Sequence, residues 1–309
     1  MIRRAGMMAG ALSLFTAAAI SAQDLAPRAY ANAPVNGTFL VLGFGVSHGG
    51  VVSDPTLPVT DVSATVETPS VGVARSFSLF GRTAQAFGAL PYSWADVSGK
   101  VLEESRSISR SGLSDMQFRM SVLVRGAPAV SLLEFAKAPR RTILGASLTV
   151  LAPTGEFFPN KLINLGTNRW SFKPEFALSQ PFRERWLLDA YGGVWFFTAN
   201  NSFYPGAAIK TQEPIGTFQW HVSYNFTRQL WAAVDATYYF GGRTTIQGVE
   251  GNDLLSNSRA GGTLVVPVGK RHSVKLAVSR GAIIRYGANF TTYSFGWQTG
   301  WVPRPKPVP

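Results

Sequence analysis

The chain has 309 residues, no Cys and a charged fraction of 15%. Soluble domains average about 25% charged residues, so much of this chain's surface meets something other than water. The formal charge is +12, or +10 without Arg3 and Arg4, yet the basic residues stand singly, with no basic stripe interleaved by aromatics, which argues against a nucleic-acid partner. The absence of Cys excludes a disulfide framework and any thiolate metal site.

The chain opens on a short basic head, Met1-Ile2-Arg3-Arg4. An uncharged run from Ala5 to Ile20 follows, then Ile20-Ser21-Ala22 before Gln23. Basic head, apolar run and small-residue cleavage site are the three parts of an export signal, so residues 1–22 are expected to be removed. The run is too short for a helix that spans a bilayer, and no later stretch of 18 apolar residues exists. Residues 23–37 are expected as a periplasmic segment, residues 38–301 as the folded body, and residues 302–309 as a Pro-rich tail.

The body is dominated by period-two alternation, the mark of strands whose side chains point to opposite faces. Phe218, Trp220, Val222, Tyr224 and Phe226 oppose Thr217, Gln219, His221, Ser223 and Asn225. The pattern recurs around Met116–Val124, Leu144–Val150, Trp170–Leu178, Leu230–Phe240 and Tyr293–Trp301. Large aromatics cluster near the ends of the apolar faces, as in a membrane-interface girdle, while the other faces carry Gly, Ser, Thr, Gln and isolated charges. Twelve strands are predicted: 38–52, 60–74, 79–95, 112–125, 141–154, 168–180, 186–199, 215–226, 229–241, 258–267, 273–284 and 288–301. Short turns alternate with longer loops, at His48 to Asp61, Asp96 to Gly112, Glu156 to Asn168, Asn200 to Pro214 and Gly242 to Asn257. That asymmetry places the short turns in the periplasm and the long loops outside. Residues 126–140 are expected as a structured periplasmic connection with a short helix or plug at Val130–Phe135. The predicted fold is therefore an all-β, antiparallel up-and-down transmembrane barrel, which leaves no strand edge open to lipid.

The polar face holds the candidate site residues. Asp115, Gln117, Arg119, Arg169, Lys173, Glu175, Asp189, Tyr191, Trp195, Gln219, His221, Asp235 and Lys275 are predicted to line the lumen, with Phe197 beside them. Such residues either fill a narrow barrel with salt bridges or set the width and charge of a pathway through it. Three His residues, in a loop (His48), a strand (His221) and a turn (His272), do not assemble a zinc site, and no cofactor is expected. His221 and Ser223 share a strand face, which keeps a nucleophile–base pair as an alternative. Lying opposite Trp220 and Val222, the pair is expected to face the lumen rather than lipid. Arg280 fits poorly, since it follows Val274, Leu276 and Val278 on the lipid side. It is expected to snorkel, to bind a lipopolysaccharide phosphate, or to follow a bulge.

Several short motifs carry a family resemblance. They are Gly112-Leu113-Ser114-Asp115, Ala152-Pro153-Thr154-Gly155, Asn164-Leu165-Gly166-Thr167-Asn168-Arg169-Trp170 with Pro174, Tyr239-Phe240-Gly241-Gly242, Asn257-Ser258-Arg259-Ala260-Gly261, and Phe295-Gly296-Trp297. With these the chain resembles the outer-membrane barrel family named for a meta-pathway of phenol degradation, over nearly its whole mature length. The resemblance implies a Gram-negative outer-membrane channel for aromatic or other hydrophobic compounds and supplies no catalytic residues. The chain departs at its end, where eight residues follow Trp301.

The expected function is passive passage of small solutes, hydrophobic or aromatic ones among them, with no enzymatic activity. The alternatives are a lipid hydrolase using His221 and Ser223, and a structural or adhesive barrel that binds partners through its loops. Expected partners are outer-membrane lipids and lipopolysaccharide, small solutes and the barrel-assembly machinery.

Overall fold

A computed structural model describes residues 25–52, 59–101, 104–204 and 206–303. The expected signal segment 1–22 and most of the tail lie outside the described residues. The strands are β1 (Thr38–Val52), β2 (Val59–Leu79), β3 (Arg82–Val101), β4 (Glu104–Leu113), β5 (Met116–Arg125) and β6 (Ile143–Ala152). They continue with β7 (Ser171–Phe182), β8 (Trp186–Phe197), β9 (Asn200–Phe203), β10 (Ala208–Gln212), β11 (Ile215–Asn225) and β12 (Trp231–Gly241). The last are β13 (Thr244–Ile246), β14 (Val249–Glu250), β15 (Leu255–Val268), β16 (His272–Ile283) and β17 (Gly287–Trp301). One helix, α1 (Leu132–Lys137), lies between β5 and β6.

The main sheet is an antiparallel barrel of twelve staves. Closure comes from β17 pairing with β1, Thr38 opposite Trp301 and Phe44 opposite Phe295. One stave is composite. β3 pairs with β5 over Ala84–Ala89 and then with β4 over Tyr92–Val101, so β4 and β5 follow each other along the same line. The remaining strands pair with their sequence neighbours in the sheet, apart from β9, β10, β13 and β14. These four form a separate small sheet from the β8–β11 and β12–β15 connections.

The alternation read from the sequence orients every stave. Along β12, Ala233, Asp235, Thr237 and Tyr239 are buried, while Val234, Tyr238 and Phe240 are exposed. The same split puts Leu276, Val278, Phe295, Phe218 and Trp220 outside. An apolar exterior is stable only where lipid replaces water, and pairing all backbone groups makes that exterior tolerable.

Several connections are tighter or more ordered than expected. β3 and β4 pair from Tyr92 opposite Leu113 to Val101 opposite Glu104, where a loop from Asp96 to Gly112 is expected, and β1 covers the expected 38–52, which makes His48 a strand residue and not the loop residue expected. The reason is local. Ser, Thr and Val alternate through these segments and pair across the hairpin, Ser98 opposite Ser107. The β2–β3 turn lies at Phe80-Gly81, later than the 75–78 expected, with φ of 49° and 71°. Two successive positive φ values make a type I′ turn, whose twist matches the flanking strands. The loops expected at Asn200–Pro214 and Gly242–Asn257 contain β9, β10, β13 and β14. Arg280 stays on the exposed outer face opposite Thr291, and the bulge in the β15–β16 pairing comes after it.

The connection between β5 and β6 contains α1 as expected. Its entry is fixed by Glu134, whose carboxylate accepts hydrogen bonds from the backbone N–H and the hydroxyl of Ser131 at 2.8 and 2.7 Å. This Glu at the third helical position is the back-bonding half of a capping box.

Candidate functional site: the lumen and its N-terminal segment

All twelve staves turn an inner face to the lumen, and the predicted lining residues lie on or next to β5, β7, β8, β11, β12 and β16. Twelve of the thirteen residues predicted to line it are buried, and Arg169 is half-buried at the end that carries the longer connections. Five buried cations and four buried carboxylates occur among the described residues, the cations being Arg28, Arg119, Lys173, Arg259 and Lys275. Arg28 and Arg259 were not anticipated. Arg259 sits in a predicted strand on a polar face and was legible there, whereas nothing local marks Arg28 as a lumen residue.

Glu175 is the hub of the middle layer. Its carboxylate lies 3.1 Å from Lys173 Nζ and 3.8 Å from Arg119 Nη2, and it accepts from Tyr30 OH at 3.0 Å and Gln219 Nε2 at 3.3 Å. Buried charges are tolerable only when paired in this way. Beside it, strand register sets a second group. His221 lies opposite Asp189 on β8 and Asp235 on β12. His221 Nδ1–H donates to Asp235 Oδ1 at 2.8 Å, and Thr263 Oγ1 donates to Asp235 Oδ2 at 2.7 Å.

A carboxylate that orients a His is one half of a nucleophilic triad. The other half is not formed, because neither His221 Nε2 nor Ser223 Oγ has a hydrogen-bond partner among the described residues. The three His residues stay apart. His48 Nδ1 bonds Thr65 Oγ1 on the outside, and His272 stacks on Trp297 with ring centroids 5.3 Å apart. Among the described residues no group of three His or acidic side chains could hold a metal ion.

Residues 25–36, expected as a periplasmic segment, run inside the barrel instead. The segment crosses from one wall to the other. Ser76 Oγ donates to Pro34 O, Gln85 Nε2 to Ala31 O, and Arg119 Nη1 to Ala29 O. Tyr30 OH meets Ser147 Oγ at 2.7 Å, and its ring lies 5.1 Å from that of Tyr191. Arg28 donates its backbone N–H to Asp189 and Nη2 to Asn225 Oδ1, with its guanidinium 4.1 Å over the Trp231 ring. The seat is cut into the wall by glycine. A Cβ on Gly145 would fall 2.4 Å from Tyr30 Cδ1, and one on Gly261 would fall 3.0 Å from Leu25 Cδ1. A chain of polar anchors is needed because each backbone group brought into the lumen must find a partner there.

The rim at the end with the longer connections is built from the sequence motifs. Asp115, at the break between β4 and β5, accepts from Gly155 N–H, Thr167 N–H and Thr167 Oγ1 at 2.9, 2.9 and 2.6 Å. Gly155 and Gly166 pass so closely that a Cβ on either would lie within 2.7 Å of the other's backbone. Asn168 bonds Asn200, and Arg169 Nη2 donates to Gln212 Oε1, whose amide in turn donates to Gly242 O. Below this rim, Trp195, Ile215 and Tyr239 form an apolar cluster against Leu151, Phe197 and Leu255.

Twelve staves, an apolar exterior and a charged interior define an outer-membrane β-barrel. Residues 43–300 match the family described as "Putative MetA-pathway of phenol degradation", and the chain belongs to that family. Among solved structures it is similar to an outer membrane channel from Pseudomonas putida F1, with 20% identity and a TM-score of 0.79, over 90% of this chain and 100% of that one. It is also similar in fold to the β domain of the Bordetella autotransporter BrkA (11% identity, TM-score 0.52, 86% of this chain and 100% of that one). The transport unit of the autotransporter AIDA-I from Escherichia coli gives 8% identity and a TM-score of 0.53, over 85% and 90%. No curated protein sequence matches the chain.

Proposed function

We propose that the protein is a passive outer-membrane channel for small solutes, hydrophobic and aromatic ones among them, with residues 25–36 restricting its lumen. The observation that carries this reading is the polar, charged inner wall that holds a separately anchored segment. A barrel that served only as a scaffold would gain more from a dry, apolar filling than from buried ion pairs. Asp115, Gln117, Arg119, Arg169, Lys173, Glu175, Asp189, Tyr191, Trp195, Gln219, His221, Asp235 and Lys275 then act as pathway residues, setting width and charge. Export on a signal at residues 1–22, contact with lipopolysaccharide and folding by the barrel-assembly machinery belong to the same reading. The family and the fold of its similar structures support a channel rather than a hydrolase, and the missing Ser223–His221 contact favours the same choice.

The test is conductance in planar bilayers and solute entry into proteoliposomes, for the full mature chain and for one lacking residues 25–36. The shortened chain is expected to conduct several-fold more, since a narrow pathway widens where side-chain and backbone anchors leave it. If neither chain shows conductance or entry above empty membranes, the channel reading fails.

A further inference from the structure

We infer that the extracellular mouth holds a binding site for the acidic group of an aromatic monoanion, made by Arg169 and Lys210. This rests on the channel reading above and adds the charge of the solute to it. The two cations come from separate elements. Arg169 precedes β7, and Lys210 lies on β10, two residues from Gln212, on the same strand face. Because Arg169 bonds Gln212, that face brings Lys210 within electrostatic reach of the guanidinium. Each cation is backed by a ring, Arg169 at 4.3 Å over Phe197 and Lys210 at 4.7 Å over Phe203.

Two cations held together normally share a carboxylate. Here neither Arg169 nor Lys210 has an ion pair among the described residues. Asp115 lies within electrostatic reach of Arg169, and Asp253 of Lys210, but neither acid pairs directly with the cation: Asp115 takes its hydrogen bonds from Gly155 and Thr167, and Asp253 from Thr244 N–H and Oγ1 at 2.9 and 2.6 Å. Arg169 Nη1 is buried with no hydrogen-bond partner, a donor set aside for something absent from the chain itself. Burial and the adjacent Arg169 lower the Lys210 ammonium's pKa from its usual value, which an incoming anion would reverse.

Immediately below lie the rings of Trp195 and Phe197, stacked at 6.5 Å, with Ile215 and Tyr239. Trp195 Nε1 is also buried and unpartnered. Deeper still, Lys173 Nζ stands 5.2 Å over Trp195. The order from outside inward is therefore paired cations, then an aromatic wall, then a further cation. A flat apolar body with one acidic group fits both parts. Its carboxylate or sulfonate would take charge-assisted bonds from the guanidinium, and its ring would lie against the wall. A cationic solute of the same size would meet repulsion at the same place.

The test compares entry of benzenesulfonate, benzyltrimethylammonium and neutral phenyl glucoside into proteoliposomes that carry the full mature chain. The anion is expected to enter at least about tenfold faster than the cation, the lower end of what a charged mouth does to local concentration. In a R169Q/K210Q double variant the anion-to-cation ratio should fall towards one, and in R169K, which keeps the charge, it should stay above one. Heat-modifiable migration verifies that each variant is folded. Equal entry of anion and cation, with phenyl glucoside entering, overturns the inference and leaves the channel reading standing. A ratio that survives the double variant also overturns it. Entry of none of the three probes sinks the channel reading and the inference together.

Discussion

At the scale of single residues, the lumen shows what a close contact costs and what it holds. Tyr30 is kept in the lumen by its hydroxyl, which donates to Glu175 and accepts from Ser147, by the Arg119 guanidinium 4.5 Å over its ring, and by the missing side chain of Gly145. Removing the hydroxyl in Tyr30→Phe takes a donor from Glu175, a loss of about 1.5–3 kcal/mol for a bond to a charged group. Gly145→Ala acts from the other side, driving a methyl group into the ring. Both substitutions are expected to raise single-channel conductance and to speed proteolysis near residues 25–36, while the barrel keeps its heat-modifiable migration. Unchanged conductance in both would mean that Tyr30 is not what holds the segment in place. Asp115 shows the same economy at the rim, where one carboxylate takes three donors from a loop that is distant in sequence.

At the scale of elements, the β5–β6 connection carries a titratable latch. Hydrogen bonds from Ser131 hold the Glu134 carboxyl below the usual carboxylate range. A folded-state pKa below the unfolded value adds stability that is complete at neutral pH, above both values. That stability is lost as the pH falls through the ordinary carboxylate range to the folded pKa. Amide exchange over residues 131–137, corrected for its intrinsic pH dependence, is thus expected to quicken at about pH 3 relative to pH 7. Glu134→Ala should exchange quickly at both values. A native chain whose protection is the same at both pH values would show that the latch contributes nothing. The small four-stranded sheet behaves differently, because β10 and β13 join two connections that are about thirty residues apart, Gln212 opposite Thr244, and so fix where Lys210 stands.

For the whole molecule, the controlling fact is that lipid lies on one side of every stave and the lumen on the other. Val234 is exposed on the outer face, between Trp220 and Tyr224 of the neighbouring strand. Val234→Arg would place a charge on the lipid-facing side, a change that costs about 2–4 kcal/mol at the midplane of a barrel and less towards the interfaces. Urea unfolding in liposomes should show that loss, and Val249→Arg, on exposed β14 outside the barrel sheet, should show almost none. Equal effects at both sites would mean that the apolar band has been misplaced.

The strand count, the orientation of each face and the lumen positions of His221, Asp235, Glu175 and Lys173 were legible in the sequence, because side chains alternate with a period of two and lipid punishes any error in that alternation. The motifs Gly112–Asp115, Ala152–Gly155 and Asn164–Trp170 could be read as a family signature. Their convergence on Asp115 could not, since only the break between β4 and β5 brings them together. Nor did any local pattern place residues 25–36 in the lumen. That segment has no periodicity, and its partners Asp189, Glu175 and Ser147 lie more than a hundred residues away. Local chemistry determines which way a strand faces. What fills the space the strands enclose depends on contacts that exist only once the barrel has closed.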